Sequence, residues 1–185
     1  MIIGLCGKSG VGKSTICDEI VKLGYKKVVT DTTRPPREGE VNEVDYFFDT
    51  DAEFDELLDL GEFIETTSYH VATGETWRYG TTRGQLAEAE PKGVIILNPD
   101  GVKMIRELNI STKIFWVFTN KNTVLSRLKN RGDSPDEIER RMKADDEDFA
   151  DIESYVDYKV FNNEGDDVSE IARCIIEVAE TGSYE

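Results

Sequence analysis

The sequence predicts an α/β fold in which a parallel sheet carries helices on both faces, and three observations predict it. The first is an apolar run, Ile2-Ile3-Gly4-Leu5-Cys6, then Gly7-Lys8-Ser9-Gly10-Val11-Gly12-Lys13-Ser14, then a helical pattern with Ile16, Ile20 and Leu23 on one face. The second is a pair of continuous apolar runs, 94–97 and 114–118, as a strand buried on both faces requires. The third is alternation: strand-like and helix-like segments succeed each other to the end of the chain, the order of a sheet with helical crossovers. With 185 residues, the chain has room for one such domain with a full core.

Taken in order, residues 2–6 form a buried strand and 7–14 a phosphate-binding loop. Glycines let consecutive N–H groups turn inward around a phosphate chain, where a Cβ would obstruct them. The helix that follows adds its positive N-terminal end. Lys13 supplies a mobile cation for the β- and γ-phosphates, and the Ser14 hydroxyl can ligate Mg²⁺. Gly24 ends the helix as a C′ residue, and 26–29 reads as a short second strand. Pro35 and Pro36 forbid regular structure across 30–40. Residues 46–48 are strand-like. Thr50 and Glu53 form a capping box for a helix that ends near Gly61, with Phe54, Leu57 and Leu58 facing inward. A strand over 63–67 leads to a loop-like stretch, 70–77, and Arg78-Tyr79-Gly80-Thr81 enters a helix over 82–89. Beyond the turn at Pro91-Lys92-Gly93 come strand 94–97, helix 102–108, strand 114–118 and helix 122–131. Ser134, Pro135 and Glu137 make a second capping box with proline at N1, for a helix reaching toward Ala150. Strand 158–161 and an amphipathic helix over 168–180 close the chain. The acidic run Asp145-Asp146-Glu147-Asp148 reads as a solvated helix face.

The net charge is −16, which argues against a nucleic-acid or anionic-membrane partner. A phosphate site in such a chain must create its own positive field, so the placement of the arginines carries the information. Cys6, Cys17 and Cys174 make no CxxC pair and lie in apolar patterns, as buried thiols of a reducing cytosol do. His70 has no metal-binding company. No apolar run reaches membrane-spanning length, and the start of the chain does not read as a signal peptide. The expectation is a cytoplasmic protein, monomer or homodimer, acting on small molecules.

Arg34 and Arg37, stiffened by the two prolines, can clamp a second phosphate, with Tyr46 and Tyr79 as hydroxyl donors. Equally, either arginine can pair with Glu38 or Glu40, and either tyrosine can be core. At this point the sequence closely resembles the guanylate kinase family of P-loop nucleoside monophosphate kinases. The resemblance rests on 32–42 (Thr-Thr-Arg-Pro-Pro-Arg-Glu-Gly-Glu-Val-Asn), Asp45-Tyr46-Phe47-Phe48, Gly61-Glu62-Phe63-Ile64-Glu65 and Tyr79-Gly80-Thr81. It extends through Arg127-Leu128-Lys129-Asn130-Arg131-Gly132, Arg140-Arg141-Met142 and Phe161-Asn162-Asn163, covering essentially the whole chain.

That resemblance implies a P-loop NTPase three-layer α/β/α fold. Its core would comprise 1–30, 82–126 and 148–185, with an inserted monophosphate-binding subdomain at 31–81 and a helical lid at 127–147. It implies phosphoryl transfer from ATP, with Mg²⁺, to GMP and to dGMP. ATP would be held by Gly7, Lys8, Ser9, Gly10, Val11, Gly12, Lys13, Ser14, Thr15, Arg127, Arg131 and Asn162, with Ser14 on the metal. GMP would be held by Thr30, Arg34, Arg37, Glu40, Tyr46, Glu65, Tyr79, Thr81 and Asp100, and the catalytic group would be Lys13, Arg34, Arg131 and Arg141. Glu65 can accept from guanine N1–H and the 2-amino group, and Thr30 can donate to O6. Three departures stand out. Asn98-Pro99-Asp100-Gly101 replaces the family's Asp-x-Asp and is shortened, leaving the role of Asp100 open. The stretch between Glu65 and Tyr79 is longer by roughly Thr73 to Arg78. The lid is a residue short, so Arg140 and Arg141 compete for one place. Alternatives are a kinase of this fold acting on another monophosphate, and a non-catalytic interaction module.

Overall fold

The computed structural model describes residues 1–71 and 74–183. Its main sheet consists of β1 (Ile2–Cys6), β2 (Lys26–Lys27), β7 (Gly93–Leu97), β8 (Thr112–Phe118) and β9 (Tyr158–Phe161), in the order β2-β7-β1-β8-β9 and parallel throughout. Alternation along β1 sends Ile3 and Leu5 to one face and Ile2 and Cys6 to the other. On the first face, Ile16 and Ile20 of α1 (Lys13–Lys22) pack with Ala172 and Ile175 of α7 (Val168–Thr181). On the second, Leu86 and Ala89 of α3 (Arg83–Ala89) join Val102 and Ile105 of α4 (Pro99–Glu107). The expected layers are therefore present. Among the described residues, no helix is long and apolar enough to cross a membrane.

A second sheet contains β3 (Asp31–Thr32), β4 (Phe47–Phe48), β5 (Phe63–His70) and β6 (Thr76–Thr82), in the order β4-β3-β6-β5. Here the expected loop over 70–77 is corrected. Strand β5 runs on to His70 and pairs antiparallel with β6, Tyr69 opposite Trp77 and His70 opposite Thr76. The extra residues thus lengthen a hairpin; Thr73, counted among them, lies outside the described residues. His70 belongs to a strand, its Nδ1 2.9 Å from the Thr76 hydroxyl. In α2 (Asp51–Asp59) the Thr50–Glu53 capping box is complete, but only Phe54 is buried; Leu57 is half-buried and Leu58 is 48% exposed. The reason is that α2 covers the sheet with a single contact row, Phe54 stacked on Phe63 at 4.5 Å.

One further boundary moved, and two caps differ from the expected ones, for local reasons. Helix α4 starts at Pro99, because Asn98 caps it by accepting from the Gly101 N–H at 2.7 Å. The amide that departs from the family's acid therefore has a structural use. Thr82 and Gln85 form a capping box for α3 that sequence reading did not single out. The box expected at Ser134 is only half made: Ser134 accepts from Glu137 N–H, while the Glu137 carboxylate turns to Arg140 and Arg141. Helix α5 (Lys121–Asn130) and α6 (Pro135–Asp148) follow, then a 3-10 helix at Ile152–Tyr155. Cys6 and Cys17 are buried free thiols, and Cys174 is half-buried.

The small sheet is joined to α3 through a buried acid pair. Gln85 Nε2 donates to Asp31 Oδ2 at 2.5 Å, and the backbone N–H of Asp49 donates to Thr32 O at 2.9 Å. Burial, then the charge of Asp31, push the Asp49 carboxyl up to about 7, and burial raises Asp31 too. An acid that holds its proton more tightly when folded stabilises the fold fully below its ordinary range and loses that contribution as pH rises through the folded value. The thermal midpoint therefore falls between pH 5 and pH 8, and Asp49→Asn flattens that decline. Parallel curves for the two proteins would contradict this. Glu137, held down to about 2 by its hydrogen bond from Arg140, stays ionised across the window.

Candidate active site

The phosphate loop closes over the carboxyl end of β1. Gly7 lies so near β8 that a Cβ would stand 2.2 Å from the Val117 carbonyl oxygen. Gly12 is left-handed (φ 95°), and a Cβ there would meet Asn162 Nδ2 at 2.3 Å. No side chain caps α1 at Gly12, which keeps the helix N-terminus available to an anion. Asn162 donates to Val11 O at 2.8 Å, and Arg127 Nη1 reaches the same carbonyl at 3.1 Å. Lys13 Nζ folds back to the carbonyls of Gly7 (2.5 Å) and Lys8 (3.1 Å).

Across a cavity of about 740 Å³ stand the residues of the small sheet and of α6. Its walls include Gly7, Ser9, Gly10, Gly12, Lys13, Ser14 and Thr15 on one side. On the other they include Thr30, Arg37, Tyr46, Glu65, Tyr79 and Thr81, with Arg127, Arg131, Arg140, Arg141 and Asn162 between. Several expected residues stand back from this wall. Lys8 points outward to Asp146, Val11 is buried in the core, and Asp100 lines an adjoining cavity of about 600 Å³ while accepting from Thr67 at 3.1 Å. Arg34 is also withdrawn, its side chain 2% exposed and bonded to Glu40 Oε1 at 2.9 Å and to Pro35 O at 2.8 Å. Its guanidinium lies over the rings of Tyr46 (5.4 Å) and Phe48 (5.7 Å). Glu40 also accepts from Arg37 N–H at 2.7 Å. Arg37, by contrast, is 43% exposed and faces the cavity. Of the two readings left open for this pair, ion pairing describes both: Arg34 is buried against Glu40 at 2.9 Å, whereas Arg37, 4.0 Å from the same carboxylate, also lines the cavity. Arg78 lies against the Phe54 ring and pairs with Asp51 and Asp55, away from the loop.

Electrostatics draws the two walls together. Burial first, then the positive charges of Arg34, Arg131 and Arg141, press the Arg37 guanidinium below its usual range. Burial likewise lowers Lys13, and Arg131 lowers it further. Arg131 is thus felt on both sides of the cavity. The guanidinium groups around the cavity already have carboxylate partners, Arg37 near Glu40, Arg131 on Asp133 and Arg141 on Glu137, while the half-buried Lys13 ammonium is held by loop carbonyls. A phosphate chain is the anion that a glycine-rich loop selects.

The comparisons with known proteins agree. A family model described as guanylate kinase matches residues 1–179. The chain belongs to the guanylate kinase family. A guanylate kinase of Clostridioides difficile is 33% identical over 171 residues, covering 89% of this chain and 80% of that protein. One from Fusobacterium nucleatum is 32% identical over 182 residues, covering 95% and 94%. The crystal structure of the guanylate kinase from Anaplasma phagocytophilum superposes with a TM-score of 0.70 at 22% identity, covering 100% of this chain and 87% of that one; it supports the fold.

In this nucleoside monophosphate kinase family member, one strand along the cavity wall was only partly recovered by sequence reading. Glu65, Thr67 and Tyr69 alternate along β5 opposite Thr81, Tyr79 and Trp77, and all but Thr67 line the main cavity. Tyr69 meets Tyr79 edge-on at 5.7 Å, and Tyr79 meets Tyr46 at 6.0 Å. The strand was read only to Thr67 and 70–77 as loop-like, so Tyr69 and its partner Trp77 were left off the paired strands. Glu65 Oε1 accepts from the Thr81 hydroxyl at 2.7 Å, and its Oε2 is buried without a protein partner. Burial raises the Glu65 carboxyl. The second residue missed is Asp145: the Ser9 N–H of the phosphate loop donates to Asp145 Oδ2 at 2.7 Å. The acidic run is therefore not simply a solvated face.

Proposed function

We propose that the protein transfers the γ-phosphoryl group of ATP to GMP, and to dGMP, giving ADP and GDP or dGDP. A phosphate oxygen of the monophosphate bonds to the γ-phosphorus while the bond to the bridging oxygen of ADP breaks. The observation that carries this reading is a single cavity of about 740 Å³ lined at once by Lys13 of the glycine-rich loop, by Arg37 of the small-sheet segment and by Arg131, which is paired with Asp133. A cation shared by two anion cradles belongs where charge passes between them. The donor would lie on the loop, with Arg127 and Asn162 beyond it. The acceptor phosphate would lie on Arg37, Tyr46 and Tyr79, with Arg34 and Glu40 bracing Arg37 from behind. Guanine would meet Glu65, Thr81 and Thr30. Asp100 would act on the base side only if the cleft narrows toward its own cavity. Segment 31–81 would then be the acceptor subdomain and 127–147 the lid, on a core of 1–30, 82–126 and 148–185.

Such transfer depends on positioning and charge neutralisation rather than on a general base. Among the described residues no cluster of three His, Cys, Asp or Glu side chains could hold a metal. Mg²⁺ would accordingly arrive with the nucleotide, the Ser14 hydroxyl being a hard oxygen donor of the kind it takes. Bound there, it neutralises phosphate charge.

The test is ADP release with ATP and each of GMP, dGMP, AMP, CMP and UMP. We expect turnover with GMP and dGMP, and kcat/KM at least about 10²-fold lower with the others, because adenine and the pyrimidines lack guanine's adjacent N1–H and 2-amino donors for Glu65. A preference for another base would overturn the acceptor assignment. No turnover with any of them would favour an interaction module.

A further inference from the structure

We propose that Asp145 is an internal stand-in for the donor's phosphate, so that ATP binds by exchanging one anion for another. The inference rests on the donor-site reading above and extends it to a residue on the lid helix. Three donors at the rim of the phosphate loop already have partners within the chain. The Ser9 N–H gives its hydrogen bond to Asp145 Oδ2 at 2.7 Å. The Lys8 ammonium pairs with Asp146, the next residue of α6. Lys13 Nζ is held by the Gly7 and Lys8 carbonyls. Asp145 lines the main cavity with these groups, and its charge favours protonated Lys13 against the burial that opposes it.

A backbone N–H donates along one direction, so the Ser9 amide cannot serve a carboxylate and a phosphate oxygen together. Two anions brought to the same few ångströms also repel strongly where water is partly excluded. The donor must therefore displace Asp145. Helical spacing ties that displacement to the arginines: Arg141 and Asp145 are four residues apart on α6 and share a face. While Asp145 sits on the loop, Arg141 Nε is held by Glu137 Oε1 at 2.5 Å and Arg140 by both Glu137 oxygens. Moving the acid off the loop rotates or lifts the same face, and the arginines gain a phosphate to bind instead of Glu137. The loop stays ordered and its positive field neutralised without nucleotide, at the cost of weaker donor binding.

The experiment is isothermal titration of the full chain with the Mg²⁺ complex of adenosine 5′-(β,γ-imido)triphosphate. It compares the natural protein, Asp145→Ala, Asp145→Asn, Asp146→Asn and Lys13→Ala. We expect Asp145→Ala to bind about tenfold more tightly, roughly what removing one opposing anion at partial exposure gives. Asp145→Asn keeps an acceptor for Ser9 without the charge and falls between. Asp146→Asn changes affinity less than Asp145→Asn, since the Asp146 side chain is 72% exposed and screened. Tighter binding is not an outcome that loss of a merely structural contact produces. Unchanged or weaker binding in both Asp145 variants, with Lys13→Ala still abolishing it, overturns the inference and leaves the donor site standing. Lys13→Ala binding like the natural protein overturns the donor-site reading and this inference with it.

Discussion

Replacing Lys13 with alanine is expected to lower kcat for GMP phosphorylation by about 10³-fold or more, as removal of a main transition-state cation does in phosphoryl transfer. Lys13 sits in the wall of the cavity, its ammonium held by two loop carbonyls and lowered in pKa by its surroundings. A cation kept in such a place is desolvated before the substrate arrives, so its interaction with developing phosphate charge is stronger than it would be in water. Deleting it removes charge from the loop end of the cavity, and Arg131 is already paired with Asp133. The fold should persist, because the core contacts of α1 come from Ile16, Cys17 and Ile20. Circular dichroism and a thermal melt beside the steady-state assay separate the two effects. A variant within tenfold of the natural kcat would remove Lys13 from the mechanism.

The second large effect is on the acceptor side. Glu65→Gln should reduce kcat/KM for GMP by about 10²-fold while leaving the KM for ATP near its natural value. Glu65 Oε1 is already committed to the Thr81 hydroxyl, and Oε2 is buried and unpartnered. Guanine offers two neighbouring donors, and a carboxylate can take both. Glutamine places an NH₂ against one of them, so a buried donor faces a donor. The split between the two Michaelis constants is the decisive readout, since general unfolding would move both. Equal activity of Glu65→Gln and the natural protein would place guanine elsewhere in the cleft.

How much of this was readable beforehand differs from residue to residue. The phosphate loop was legible because its requirements are local: glycines at set positions, one lysine, one serine, a strand before and a helix after. The arginine segment was legible as a cluster, but not in its division of labour. Only the packed structure puts Arg34 behind, bonded to Glu40 and stacked over Tyr46, and leaves Arg37 in front. Asn98 looked like a lost acid; its use as a helix cap depends on Pro99 starting α4, which is local and could have been read. Strand β5 was read only as far as Thr67, with 70–77 loop-like and a solvated hairpin the alternative for the extra residues, because local spacing does not say which segments pair across the turn. Leu58 was placed inward on helical spacing alone, and no neighbouring element rises to meet it.

By itself, the sequence determined what periodicity and short-range chemistry control: the succession of strands and helices, the caps at Thr50 and Ser134, the anion-binding loop and the stock of arginines. Tertiary structure alone decided which charges meet. Glu137 left its capping partner for two arginines, and Asp145 of α6 reached the Ser9 amide. The physical reason is range: a backbone turn is set by its own residues, whereas a charge pairs with whichever partner folding brings within a few ångströms, however far along the chain it lies.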